Sequence, residues 1–132
     1  MPYETTFFQL PCGARCFRLE AKGTLSGEDA AEMIRQVEPG GELYGLPCLI
    51  LTRDMTSISP EARRRYAARG DVGDRETFTA VVVTNPVIRV SARFIMRIQR
   101  SRRTDLFATE EKALEWLDAR VREDMAARKG AP

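Results

Sequence analysis

Two groups of residues in this chain have the types and spacing to do chemistry. The first is Arg89, Arg93, Arg97 and Arg100, which fall at i, i+4, i+8 and i+11. On a helix that spacing makes one basic stripe, suited to an acidic protein surface or to anionic headgroups. The second is Ser57-Ile58-Ser59-Pro60-Glu61, which reads as a helix start: a serine able to cap, a proline in the first helical position and an acid in the first turn. Helix N-termini present unpaired amides and a positive dipole end, which stabilise phosphate, so Ser59 stands where a phosphosite would be useful. It stands equally where a plain N-cap belongs. Arg63 follows one turn later, Arg64 and Arg65 come next, and Arg102-Arg103 extend the charge beyond the stripe. The bland alternative for these arginines is a solvated face.

Other chemistries are missing from the chain. There is no histidine, which removes Ser-His and Cys-His nucleophiles, imidazole bases and most catalytic zinc sites. Neither a GxGxxG nor a GxxxxGK phosphate loop occurs, and Gly40-Gly41 reads as a helix stop. Asp71, Asp74 and Glu76 form an acidic loop whose spacing does not match a calcium site. Trp116 and Phe107 read as core anchors. The expectation is a chain that is not an enzyme, with no cofactor and no metal.

The elements that must position these residues can be read from pattern. Cys48-Leu49-Ile50-Leu51 and Phe78-Thr79-Ala80-Val81-Val82-Val83 are apolar runs without polar alternation, as in strands buried on both faces. A helical stretch lies between them, which makes Cys48–Thr52 and Ala80–Val83 a central, adjacent, parallel pair. Phe7 to Leu10 reads as a short first strand. Cys16 to Gly23 alternates apolar and charged residues, as a strand with one face in the core that pairs, over Cys16–Lys22, at one side of the central strands with its charges in solvent. Ser26 caps a first helix whose buried stripe is Ala30, Met33, Ile34 and Val37, and Pro39-Gly40-Gly41 ends it. A second helix is expected from Pro60 to about Arg69, stopping at Gly70, followed by a loop at 71–75. A third runs from Pro86 to about Arg100, with Ile88, Ala92, Ile95 and Gln99 off the basic face and Phe94 and Ile98 extending the apolar side. Thr104 to Phe107 adds a strand. Thr109 then caps a last helix with Leu114, Leu117, Val121 and Met125 on one face.

Composition agrees with one domain. The chain has 132 residues, 43% of them hydrophobic and 30% charged, enough for a single core. We expect a domain over residues 1–126 and a frayed tail over 127–132. No run reaches the roughly 20 apolar residues of a membrane span, and the start lacks the pattern of a signal peptide. Three cysteines without a CxxC pair point to thiols in a reducing cytoplasm. Charge is uneven: residues 53–103 carry twelve basic and five acidic side chains, net +7, between two mildly acidic ends. That suits an anionic partner at one face. Nucleic acid is not expected, because no aromatic residues interleave with the arginines.

The order strand, strand, helix, strand, helix, strand, helix, strand, helix resembles the STAS family, and more closely its SpoIIAA-like bacterial relatives. The resemblance rests on Gly23-Thr24-Leu25-Ser26-Gly27-Glu28-Asp29, on Leu51-Thr52-Arg53-Asp54-Met55 leading into Ser59-Pro60-Glu61-Ala62-Arg63, and on Phe107-Ala108-Thr109-Glu110-Glu111-Lys112-Ala113-Leu114-Glu115-Trp116-Leu117. It covers roughly residues 7 to 121. It implies an α/β domain: a mixed sheet of about five strands with a central parallel pair, packed by about four helices, with no metal. It also implies a regulator that binds a protein partner and is switched at a serine opening the second helix. Ser59 matches that serine, Asp54 matches the acid ending the family's third strand, and Thr56 and Ser57 complete the switch loop. The Asp-Ser-Ser-Gly-like signature of anti-sigma antagonists is replaced here by Ser57-Ile58-Ser59-Pro60-Glu61.

Two functions follow as expectations. One is a non-enzymatic regulatory or protein-interaction module whose contact surface includes Arg63, Arg89, Arg93, Arg97 and Arg100, with a homodimer left open. The other is a carrier of a small hydrophobic or lipid-like ligand between sheet and helices, suggested by the distant similarity of SpoIIAA-like proteins to lipid-transfer domains and by the basic third helix.

Overall fold

The computed structural model describes residues 3–68, 77–99 and 103–129. Its elements, in chain order, are β1 (Tyr3–Gln9), β2 (Arg15–Leu25), α1 (Gly27–Val37), β3 (Cys48–Ile58), α2 (Pro60–Ala68), β4 (Thr79–Val82), α3 (Pro86–Gln99), β5 (Thr104–Phe107) and α4 (Glu110–Lys129). The strands form one five-stranded sheet in the order β1-β2-β3-β4-β5. β1 runs antiparallel to β2, and the other neighbours are parallel. The single α/β domain with a mixed sheet and a central parallel pair is therefore present, with Leu49 opposite Ala80 and Leu51 opposite Val82.

Sequential strand order has a consequence for the layers. Crossovers between parallel strands share one hand, so α1, α2 and α3 all fall on the same face of the sheet. They enclose a core with Phe17, Leu19 and Ala21 of β2 and Met55 of β3. The opposite face is covered by α4, whose Ala113, Leu117 and Val121 pack on Leu49, Leu51, Ala80 and Val82. Apolar residues on both faces of β3 and β4 are what this double coverage requires.

Local signals match the helix starts. Ser26 Oγ accepts from the Asp29 amide at 3.1 Å, and the Ser26 amide donates back to Asp29 Oδ2 at 3.0 Å, a reciprocal capping box at α1. Gly27 is buried there, and a Cβ at this position would run into the Glu61 side chain of α2. The glycine leaves room for the Glu61 side chain against the start of α1.

Several expectations are corrected. β1 begins at Tyr3 and not at Phe7, because its residues pair with β2 from Tyr3↔Ala21 to Gln9↔Arg15. β2 pairs beside the central strands, between β1 and β3, but its charged alternates are not all in solvent, Arg18 and Glu20 being half-buried. Arg18 pairs with Glu110 of α4 at 2.6 Å. β3 continues past Thr52 to Ile58, because β2 extends to Leu25 and pairs with it through two register shifts, near Glu20/Lys22 and Gly23/Thr24. Gly23, at φ +65°, takes the left-handed conformation that such an irregularity favours in glycine. α4 is helical through Lys129, and Met125 on it is exposed rather than part of the buried face. The expected end of α2 at Arg69-Gly70, the loop at 71–75, the end of the third helix at Arg100, the Arg102 charge and residues 130–132 lie outside the described residues. So do the side chains of Ile98 and Gln99.

Candidate functional site

Between the sheet and helices α1 to α3 lies a cavity of about 200 Å³. Its walls follow from periodicity. Helix α1 contributes Met33, Ile34 and Val37 at helical spacing, α3 contributes Ile88, Ala92 and Ile95, and the sheet contributes alternate residues of β2, β3 and β4. Tyr66 reaches in from α2, its hydroxyl 3.0 Å from the sulfur of Met33. Polar groups are few. Thr52 spends its hydroxyl on the Val82 carbonyl at 2.7 Å. Thr77, Thr79 and Thr104 line the end at which β4 and β5 begin, Thr79 being paired with Thr104 across those strands.

The expected switch loop is not a loop. Asp54, Thr56 and Ser57 belong to β3, with Asp54 opposite Lys22 and Ser57 opposite Thr24. The Ser57 and Thr24 hydroxyls lie 2.9 Å apart. Asp54 and Thr56 are exposed. Ser59 is half-buried at the N-cap of α2, where its hydroxyl accepts from the Ala62 amide at 3.1 Å. Its own amide donates to the Leu25 carbonyl at 2.9 Å, which ties the start of α2 to the end of β2. Arg63 is half-buried one turn further along.

Helix α3 divides into three faces. Ile88 is buried and Ser91 nearly so, toward the sheet. Arg93 and Arg97 are exposed and make no ion pair among the described residues, while Arg89 is half-buried and donates to the Val83 carbonyl at 3.3 Å. The arginines therefore share an arc but not an environment, and Arg100 lies outside the described residues. Beside them, Val87, Val90 and Phe94 are 61%, 70% and 50% exposed. Phe94 thus faces solvent and does not extend the buried side.

Electrostatics elsewhere are local. Burial, with Cys12 and Asp118 nearby, pushes the Cys16 thiol up to about 12, which makes it a poor nucleophile. Cys12, Cys16 and Cys48 form no disulfide. Among the described residues no group of three or more His, Cys, Asp or Glu side chains is placed to hold a metal ion. No helix among them is long and apolar enough to cross a membrane.

Residues 16–120 match a family described as a domain of unknown function, DUF7793. The chain belongs to that family. The matched segment of this DUF7793 chain begins in β2 and ends inside α4, so it takes in the cavity, α2 and the whole of α3. Among solved structures, an uncharacterised DUF3478-family protein with a SpoIIAA-like fold from Shewanella loihica PV-4 superposes with a TM-score of 0.62. The two chains are 19% identical over 87% of this chain and 93% of that one. The SpoIIAA-like fold is established by that likeness; at this identity it carries no activity. A search of curated protein sequences gives no match.

The cavity itself was not visible in the sequence. Its wall residues read as ordinary core stripes, because a pattern of apolar positions shows which residues face inward and not whether they meet. One signal did exist for the outer face of α3. That helix has more apolar residues than a single buried stripe can use, and the surplus (Val87, Val90 and Phe94) is what lies exposed.

Proposed function

We propose that this chain is a non-enzymatic binding module, working in a reducing cytoplasm, that holds a small apolar molecule between its sheet and helices α1 to α3. The observation that carries the reading is the apolar cavity of about 200 Å³ walled by the inner faces of the sheet and of α1 to α3. An enclosed apolar cavity of about 150 Å³ takes up benzene, and this one is larger and partly open, with room and an entrance for a molecule of that size. The volume is below the roughly 300–1,000 Å³ of drug-sized pockets. A single ring or a short branched chain fits it better than a full lipid tail. Thr77 and Thr79 at one end bring hydroxyls to the wall that a ligand with one polar group can meet.

Native mass spectrometry of the protein purified from its own host tests this, together with NMR titration of benzene, indole and short-chain acids. A retained small-molecule mass, or saturable shifts confined to Met33, Ile88 and Ile95, supports the reading. A bare chain that takes up none of these probes rejects it.

A second reading, a regulatory contact module switched at Ser59, draws support from where that serine sits. It caps α2, and α2 carries Tyr66, which lines the cavity. A phosphate on Ser59 would add about −1.5 to −2 charges at neutral pH, at a helix that is also a cavity wall. A pull-down from host lysate with wild type, Ser59→Ala and Ser59→Asp separates the two. A partner retained by one form and lost by another favours the switch, and identical profiles leave Ser59 a cap.

A further inference from the structure

We infer that α3 docks on anionic lipid bilayers, with Val87, Val90 and Phe94 entering the headgroup boundary and Arg93 and Arg97 meeting lipid phosphates. The exposed apolar side chains fall at i, i+3 and i+7, so they form one ridge along the outer side of the helix. Arg93 and Arg97 flank that ridge, exposed and without ion-pair partners among the described residues. A helix with an apolar arc beside a basic arc is the form that lies in a membrane interface, its apolar side roughly 5–10 Å below the headgroups. Charge on the neighbouring helix points the same way. Together α2 and α3 carry six arginines and a single acid, Glu61.

The same features argue against other occupants. A second copy related by symmetry would set Arg93 and Arg97 of the two chains against each other, which like charge disfavours. An acidic protein would answer the charge only if it also carried a groove shaped for these three side chains. A bilayer needs only apolar area and positive charge, and this face supplies both. There is also a reason for this helix to be the one that docks. Its inner side, through Ile88, Ala92 and Ile95, is a wall of the cavity, so a molecule leaving the bilayer would have this helix to pass. That last step rests on the ligand-binding reading; the docking does not.

Flotation of the full chain with vesicles tests the proposal, using phosphatidylcholine alone and phosphatidylcholine with a third of phosphatidylglycerol. Wild type should float with the anionic vesicles and release as salt rises. Arg93→Gln and Arg97→Gln should each weaken binding roughly fivefold, from about 1 kcal/mol per arginine at a charged surface. Val90→Ser with Phe94→Ser should weaken it by on the order of tenfold or more, with circular dichroism unchanged. No flotation with either vesicle would overturn the proposal, as would flotation that ignores anionic lipid or these variants. Stable capture of an acidic protein, or a dimer dissolved by Phe94→Ser, without vesicle binding would overturn it as well. A chain that floats but takes up no apolar probe sinks the ligand reading alone, and one that takes up probe without floating sinks the docking alone.

Discussion

The backbone amide of Cys12 donates to Asp118 Oδ1 at 2.9 Å, joining the β1–β2 turn to α4 across 106 positions of sequence. Asp118 also accepts from Arg122 one turn further along α4, at 3.0 Å. Burial alone would raise the carboxyl's pKa. The hydrogen bonds from Arg122 and Cys12 outweigh it and hold the group below its ordinary value.

A depressed pKa in the folded state means that stability from Asp118 is present above the unfolded carboxylate value, about 3.9, and is lost as pH falls through the lower folded value. Asp118→Asn should therefore be less stable than wild type at pH 6, and the gap should close on acidification toward pH 2. Denaturant midpoints across that range measure it. A gap that stays constant would show that the carboxylate charge contributes nothing.

Leu117 is fully buried at the contact of α4 with the sheet. Leu117→Ala should cost about 2–5 kcal/mol, the usual range for a buried leucine. Trp116 is only half-buried, with its ring 6.0 Å from Phe78 and 5.4 Å from Phe107. Its truncation to alanine should cost less than the roughly 3–5 kcal/mol of a wholly buried aromatic. Urea unfolding of both variants checks the order. Trp116→Ala proving the costlier of the two would mean that its edge contacts, and not burial, hold the helix down.

Both serine caps should be worth a similar amount. Ser26→Ala and Ser59→Ala each remove a hydroxyl that accepts a backbone amide, at about 1 kcal/mol apiece. Because they cap different helices, the double variant should lose nearly the sum. An excess well beyond it would reveal coupling through the Gly27–Glu61 approach of α1 to α2. Thermal melts of the three variants provide the comparison.

Filling the cavity should stabilise the empty chain. Ala92→Leu places apolar volume beside Ile88 and Ile95, and a substitution of that kind commonly gains about 0.5–2 kcal/mol. Probe uptake should fall as stability rises. If the melting temperature drops instead, the space is too small to accept the side chain and the wall is overpacked.

Much of the architecture was legible because it depends on local pattern. The apolar runs at Cys48–Leu51 and Ala80–Val83 marked strands buried on both faces, and the helical stretch between them made the pair parallel, since a crossover of that kind returns the chain in the same direction. Ser26, Ser59 and Thr109 marked helix starts, since a capping hydroxyl needs only its own next three residues. Alternation along Cys16–Gly23 identified a strand beside the central pair but sent its charges to solvent, where the structure half-buries Arg18 and Glu20. The half-burial of Arg18 depends on Glu110, far along the chain, and no local pattern carries that pairing. Nor did Leu51-Thr52-Arg53-Asp54 announce that β3 would run on to Ile58, because the extension exists only where β2 is long enough to pair with it. The cavity lies furthest from sequence, and the apolar surplus of α3 was countable there without showing that Val87, Val90 and Phe94 would be the residues left exposed. Both are differences between the apolar surface that the elements offer and the surface that packing consumes, and only the assembled fold sets that difference.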